Sequence, residues 1–451
     1  MRENVVAVIL GAGKGTRMKS KKAKALAMLC GQPLAYFPVR AARAAGIDRV
    51  IMVVGHQADA VKAAIGDGVE YALQVPQNGT GHAVMMTTEA LKDFDGTVFV
   101  HCVDVPLLPA EVMSEMVNKH HADGNAATLL TAIYENPGKY GRIIRDIDGG
   151  NVLKIVEARD ASPAEYAVKE INAGTYCFDA KLLFNALQRI TPDNDQNELY
   201  LTDVIEILIN DGHRVGAVIA DNEEIVAGIN DRVQLAEAEE VLRKDICKKH
   251  MENGVTITDP KSTFIELDVE IGQDTVIHPF TMIFGKTKIG EDCVIGPSSQ
   301  LFDAVIEDNC NVISSRVEKS ILRSGAEVGP FSRLRPGCEI CTGGQVGNFS
   351  EMKNTKVGER SKVHHLGYLG DTTLGEDVNI GADTVTCNYD GKKKHKTTIG
   401  NKAFIGSGTL IVAPINIGDN ALTGAGSVVT KDIPDNKMAY GVPARIVRDR
   451  E

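Results

Sequence analysis

The chain has 451 residues, a formal net charge of −11, nine cysteines and no tryptophan. That length accommodates roughly two to four domains with a sizeable core, and the acidic balance argues against nucleic acid as a partner while leaving room for a local basic cleft that takes a small anion. The apolar runs are too short for a signal-peptide core or a membrane span, which predicts a cytoplasmic protein with no membrane insertion. Nine scattered cysteines read as reduced thiols rather than a disulfide framework, and Cys338 with Cys341 in "CEIC" lacks the second pair or histidine cluster of a zinc site.

The first half alternates short β-branched runs with helix-like stretches: "VVAVIL", "PLAYFPVRAARAAG", "RVIMVVG", "HQADAVKAAIG" and "VEYALQV". That alternation predicts βαβ units and a mostly parallel sheet, with ligands at the carboxyl ends of the strands. In "ILGAGKGTRMKS", residues 9–20, Gly11, Gly13 and Gly15 follow the first strand at every second position. The spacing is neither the dinucleotide fingerprint nor the ATPase phosphate loop. Glycines after a strand still let backbone N–H groups approach an anion, with Lys14, Arg17 and Lys24 as compensating charge, so a nucleoside triphosphate suits the loop. From the residues alone, a tight turn carrying solvated bases fits equally well. Asp104 follows the apolar run "TVFVHCV", which places a carboxylate at a strand end.

Residues 231–251, "DRVQLAEAEEVLRKDICKKHM", hold no Gly or Pro and predict a long linking helix. Beyond it Ile289, Ile295 and Leu301, then Leu374 and Ile380, then Ile399, Ile405, Ile411, Ile417 and Thr423 fall six apart. Six helical steps of about 100° would scatter them over several faces, whereas an extended chain that turns every six residues stacks them inside a triangular coil. A β-solenoid with flat faces is therefore expected, and with it side-by-side association. The expected domains are 1–230, a linking helix 231–252, and 253–451.

Several blocks together resemble the nucleotide-sugar pyrophosphorylases: "ILGAGKGTRM" with Lys24, "NGTGHA", "VDVPLL", "YGRI", "IVEARDA", "EINAGTY" and "GINDR". In the second half "RLRPG", "GNFSEMKN", "HHLGYLGD", "VNIGADTVTCNYDG" and "FIGSGTLIVAP" are similar to the bacterial bifunctional N-acetylglucosamine-1-phosphate uridyltransferase and glucosamine-1-phosphate N-acetyltransferase family. The resemblance spans nearly the whole chain. It implies a Rossmann-like nucleotidyltransferase domain followed by a left-handed parallel β-helix of hexapeptide repeats. The implied chemistry is acetyl transfer from acetyl-CoA to glucosamine 1-phosphate, then uridyl transfer from UTP to N-acetylglucosamine 1-phosphate with release of pyrophosphate. Single-activity alternatives are an acetyltransferase with impaired uridyl transfer and a pyrophosphorylase on a β-helical scaffold.

By resemblance, Leu10, Gly11, Ala12 and Gly13 wrap the nucleotide, Lys24 and Arg17 neutralise its phosphates, and Asp104 with Asn230 holds Mg²⁺. Gln74, Gly79 and Thr80 are assigned to the uracil, and Gly141, Glu157 and Asn172 to the sugar. In the second half His365 is the implied base, and Glu351 is expected to orient it. Its neighbour His364 is expected to face the other way on a strand. Arg335, Lys353, Tyr368 and Asn379 match sugar-phosphate contacts, and Asn388 and Tyr389 further substrate contacts. Ala382, Ser407 and Ala425 match an acetyl-CoA groove, and Arg445 a contact to a CoA phosphate. The resemblance also implies a homotrimer. Two positions depart from the family pattern: Ala23 replaces a usual Pro, which predicts a looser loop, and Val103 replaces Gly, which predicts crowding of the backbone or the nucleotide.

Overall fold

A computed structural model describes residues 4–146 and 150–450, so the outermost ends of the expected first and last domains lie outside the described residues. The chain divides into two compact units, Met1–Leu242 and Arg243–Glu451. The division runs through the helix Arg232–Glu252.

The first unit is built on a sheet whose strands, in chain order, are β1 (Val5–Leu10), β2 (Arg49–Val54), β3 (Glu70–Leu73), β4 (Thr97–Cys102), β5 (Ala127–Ile133), β6 (Arg142–Arg145), β7 (Val152–Val156), β8 (Glu170–Asp179) and β9 (Val215–Ile219). The path across it is β9-β5-β8-β4-β1-β2-β3, with the β6/β7 hairpin extending from β8. Continuous β-branched runs form β1 and β2 because both faces of these strands are covered; Val6 to Ile9 and Ile51 to Val54 are essentially inaccessible. The sheet is mostly parallel, as expected: six of the seven strands on this path run the same way, and β8 alone is reversed. β8 runs antiparallel to both β4 and β5, because a hairpin, and not a long crossover helix, brings the chain back from β5. Parallel strands β4, β1, β2 and β3 retain the expected βαβ arrangement, and the glycine loop leaves the carboxyl end of β1.

The second unit is a three-sided parallel β-helix with one sheet of twelve strands, one of ten and one of nine, apart from an antiparallel hairpin at the C-terminal end. Residues six apart fall on successive sides. Ile289, Ile295 and Leu301 belong to three different sheets, all three side chains are buried, and the next turn repeats the order. Between Leu301 and Leu374 the step shortens to five residues at Ile306, Val317, Leu322, Val357 and Leu374, all buried, which shifts the register on either side of the six-residue run Leu322, Val328, Leu334, Ile340, Val346 and Met352. The corners turn through left-handed residues such as Phe280, Phe331, Phe349 and Asp383. No helix among the described residues is long and apolar enough to cross a membrane.

Candidate active sites

In the first unit the glycine loop is fixed by its own backbone. Gly11 N–H donates to Val53 O at 2.9 Å, Ala12 O accepts from His56 N–H at 3.1 Å, and Leu10 O accepts from Val103 N–H at 3.1 Å. Gly15 needs to be glycine twice over: its φ is 62°, and a Cβ there would lie 2.6 Å from the Cβ of Lys24. The stem of Lys24 thus passes directly under the loop. Its ammonium donates to Asp104 Oδ2 at 2.7 Å and to Asn230 Oδ1 at 2.9 Å, and Arg17 Nη2 also donates to Asn230 Oδ1 at 2.9 Å. Residues separated by 206 positions therefore meet at one point, which the bond from Ile229 N–H to Asp104 O at 2.7 Å holds in place.

The adjoining cleft has a volume of about 270 Å³ and is lined by Leu10 to Gly13, Lys24, Gln74, Gly79, Thr80, Val103 and Asp104. Gln74 is buried, its amide donating to Gly79 O at 2.9 Å, so the two residues expected at a nucleobase form one wall. Gly79 has φ of 102° and a Cβ would sit 2.5 Å from Leu199 O, so the wall closes only with glycine there. Thr80 Oγ1 accepts from Leu201 N–H at 3.0 Å. Gln77, Cys102 and Glu198 also line this cleft; nothing in their local sequence pattern distinguishes them from ordinary loop and strand-end residues.

The three expected sugar residues also come together. Asn172 N–H donates to Gly141 O at 2.9 Å, and a Cβ on Gly141 would lie 3.4 Å from Glu157 Oε1. Burial raises the Glu157 carboxyl above the usual carboxylate range, and Asp160 and Asp203 add to the effect; Asp203 itself is pushed up to about 6 by burial and by Glu206 and Asp160. Glu157 is thus a half-buried carboxyl among other acids, with Thr202 as a hydrogen-bond partner.

Val103 takes an ordinary backbone conformation, outside the left-handed region that favours glycine. Its side chain is 5% exposed and packs under the loop, where a Cβ on Gly11 would come within 3.1 Å of Val103 Cγ1. The isopropyl group fills the space that Gly11 leaves empty. The expected backbone conflict is absent, and Val103→Gly should lower the stability of the first unit by about 3 kcal/mol through the cavity and the added chain entropy. Urea unfolding of both proteins measures the difference.

In the second unit the expected residues gather along one corner of the β-helix and the face beside it. Gly408 N–H donates to Ala382 O at 2.7 Å and Gly426 N–H to Ser407 O at 2.8 Å, so Ala382, Ser407 and Ala425 occupy the same corner on successive coils. His365 occupies that corner one coil earlier, as the bond from Asp383 N–H to Leu366 O at 2.6 Å shows. Arg445 pairs with Tyr440 in the terminal hairpin, whose Tyr440 Cβ lies where a Cβ on Gly424 would, 2.6 Å away, and so continues the same corner. Three small residues in a row leave the backbone approachable by a long thin ligand.

His364 and His365 do not lie on opposite faces of a strand. The strand Lys362–Val363 ends before them, and at the corner their rings meet edge to face with centroids 6.2 Å apart. His364 Nε2 is engaged with Gln345 Oε1 at 2.7 Å, and burial with Lys362 and His365 nearby disfavours its charged form. His365 is exposed. Glu351, expected to orient it, instead pairs with Arg335 Nη1 at 3.1 Å, because it projects from the strand Ser350–Lys353 onto the flat face and not toward the corner.

On that face Lys353 and Tyr368 stand on neighbouring strands, and Arg335 directly follows the next strand, Arg333–Leu334, its N–H donating to Met352 O at 2.8 Å. A Cβ on Gly370 would lie 2.5 Å from both Tyr368 Oη and Asn388 Nδ2, so glycine there lets the two converge. Asp371 ties the arrangement together, accepting from Asn388 Nδ2 at 2.6 Å and from Asn354 Nδ2 at 2.8 Å. Asn379 projects from a different sheet, the one containing Lys362 and Phe404. Tyr389 is exposed and bridges back to Lys394 across the loop. Lys394 is a residue the sequence reading did not single out. It lies close enough to Lys353 to push that ammonium below its ordinary range, with Arg335 contributing. Three cations crowded in this way suit a dianion. The run "KKKHK" marked the charge, but only the fold shows which lysine approaches Lys353.

An α/β unit with a glycine loop and a carboxylate–lysine cluster, followed by a hexapeptide β-helix, defines a two-part transferase. The nucleotidyl transferase family matches residues 6–227, and the bacterial transferase hexapeptide family, six repeats, matches residues 268–302 and 396–431. The chain is 48% identical over 447 residues to the bifunctional protein GlmU of Acetivibrio thermocellus, covering 99% of this chain and 97% of that protein. It is 49% identical over 437 residues to GlmU of Caldanaerobacter subterraneus subsp. tengcongensis, covering 97% and 95%. GlmU of Streptococcus agalactiae is 45% identical over 435 residues, covering 96% and 95%. The chain belongs to the bifunctional GlmU family, with both the nucleotidyltransferase domain and the acetyltransferase repeats present.

Proposed function

We propose that this chain acetylates glucosamine 1-phosphate from acetyl-CoA and then joins N-acetylglucosamine 1-phosphate to UTP, releasing pyrophosphate. The observation that supports the second step best is the meeting of Lys24, Asp104 and Asn230 beside the glycine loop. A carboxylate oxygen and an amide oxygen already converge on one cation, the Lys24 ammonium, and two hard oxygen donors of this kind fit Mg²⁺ with water and phosphate as its remaining ligands. Bound there, Mg²⁺ would neutralise charge on the triphosphate. The glycine loop then cradles the phosphates with its N–H groups, Lys24 and Arg17 meet the charge that develops at the α-phosphorus, and Gln74 with Gly79 and Thr80 walls the uracil. Glu157 and Asn172 orient the sugar phosphate for in-line attack.

In the second unit Arg335, Lys353 and Lys394 hold the sugar phosphate, Tyr368 and Asn388 position the ring, and His365 accepts the proton that the amine sheds as it attacks the thioester. The pantetheine arm follows Ala382, Ser407 and Ala425 toward Arg445. The flat faces of the β-helix and the exposed position of His365 support a homotrimer in which neighbouring copies complete the acetyl-transfer site. Two assays on the purified chain test the reading: pyrophosphate release from UTP, Mg²⁺ and N-acetylglucosamine 1-phosphate, and thiol release from acetyl-CoA and glucosamine 1-phosphate. Both products are expected. Pyrophosphate without free thiol would reduce the β-helix to a scaffold, and free thiol without pyrophosphate would leave an acetyltransferase alone.

A further inference from the structure

Lys24 is delivered to the cleft by an unpromising segment. Lys19 to Lys22 are all exposed, three of the four are lysines, and such a stretch gains much entropy by moving. A lysine whose task is to meet developing charge must nevertheless be held still, since a misplacement of about 1 Å costs on the order of 10²-fold in rate. The exposed side chain of Gln57, at the start of the helix Ala58–Ile65, reaches this segment from another part of the sheet. Its Oε1 accepts from Ala23 N–H at 2.8 Å and its Nε2 donates to Lys21 O at 2.9 Å. Among the described residues, the other hydrogen bonds of Lys21 to Ala23 stay within residues 20–26.

Gln57 is built to act as a clamp. It takes the left-handed conformation with φ of 54°, and its own carbonyl accepts from Ala60 and Val61 N–H, which anchors it to the helix. The preceding residue, His56, donates its N–H to Ala12 O, so one short turn braces both the glycine loop and the lysine segment. Ala23 has φ of −55° and ψ of 146° and is buried. That is a conformation proline would enforce covalently, but proline has no N–H to give Gln57. An alanine held by an amide and a proline held by its ring are thus two ways to fix the same backbone.

We propose that Gln57 is a positioning residue for uridyl transfer, whose side-chain amide fixes the Lys21–Ala23 backbone and thereby sets the Lys24 ammonium in the cleft. The proposal rests on the role given above to Lys24. It predicts a coupling: Gln57 matters because residue 23 is alanine, and Ala23→Pro should make it dispensable.

The test uses the full chain carrying Gln57→Ala, Ala23→Pro, and both. Amide hydrogen exchange over residues 19–27 should speed up in Gln57→Ala and slow again in the double variant, apart from the amide that proline removes. The kcat for pyrophosphate release should fall about 10-fold in Gln57→Ala and recover to within about 3-fold of the parent in the double variant, while thiol release from acetyl-CoA stays constant in all of them. Gln57→Glu, which keeps the acceptor and loses the donor, should fall between. Unchanged exchange in Gln57→Ala would overturn the clamp whether or not the chain makes pyrophosphate. Faster exchange with undiminished pyrophosphate release would overturn the link to Lys24, and equal losses in the single and double variants would show a general packing role instead. Failure of the parent chain to release pyrophosphate would count against the function of the site, and the exchange data would still decide the clamp.

Discussion

His365→Ala should abolish acetyl transfer, lowering thiol release from acetyl-CoA and glucosamine 1-phosphate by about 10²- to 10⁴-fold, and leave pyrophosphate release at the parent rate. The magnitude is that of a lost general base. Selectivity follows from the fold, because His365 stands at a β-helix corner and belongs to the second compact unit, whereas the glycine loop belongs to the first. The neighbouring histidine supplies the control. His364 is tied to Gln345 and its charged form is disfavoured, so His364→Gln should cost far less than His365→Ala. If the two variants lose activity equally, the edge-to-face pair acts as a unit and the base is not His365 alone.

That pair also shows where a sequence stops being readable. Alternation along a strand placed His364 and His365 on opposite faces, but the strand ends at Val363, and at a corner the period-two rule has no force. Corners are where five- and six-residue steps are interchanged, and no local pattern announces the choice. The buried side of the β-helix was legible for the opposite reason. Ile399, Ile405, Ile411 and Ile417 all face one narrow interior, each side of the triangle must supply an apolar residue, and so the spacing is written directly into the chain.

The first unit divides along the same line. Strands buried on both faces appear as unbroken β-branched runs, and Asp104 at the end of one of them could be placed at the ligand edge before any geometry was known. The antiparallel strand Glu170–Asp179 could not, because its composition is that of any buried strand and its direction depends on the hairpin that precedes it. Gln57 was invisible as well. It sits 34 residues from the alanine it holds, and an exposed glutamine after a strand carries no signal until the chain has folded.

Asp104→Ala should lower pyrophosphate release by at least about 10³-fold, as expected when the charge compensation of a triphosphate is lost, with thiol release from acetyl-CoA unaffected. The fold should survive, because the Lys24 ammonium keeps Asn230 Oδ1 as an acceptor at 2.9 Å and Asp104 is partly open to solvent. Asp104→Asn separates two roles of the carboxylate. An amide keeps an oxygen donor at nearly the same place and loses the charge, so activity in this variant should be low at ordinary Mg²⁺ and rise as Mg²⁺ is increased, whereas Asp104→Ala should not respond. Equal response of the two variants would mean that Asp104 serves by pairing with Lys24 and not by holding the cation. The distinction has a structural basis: the carboxylate and the Asn230 amide share one ammonium in the folded chain, so a group that enters between them must take over donors that Lys24 holds and release that lysine toward the phosphates. A metal bound between the two oxygens would thus also free Lys24, so Asp104→Ala should lose the metal's share of the neutralisation while its lysine, held by Asn230 alone, keeps its own.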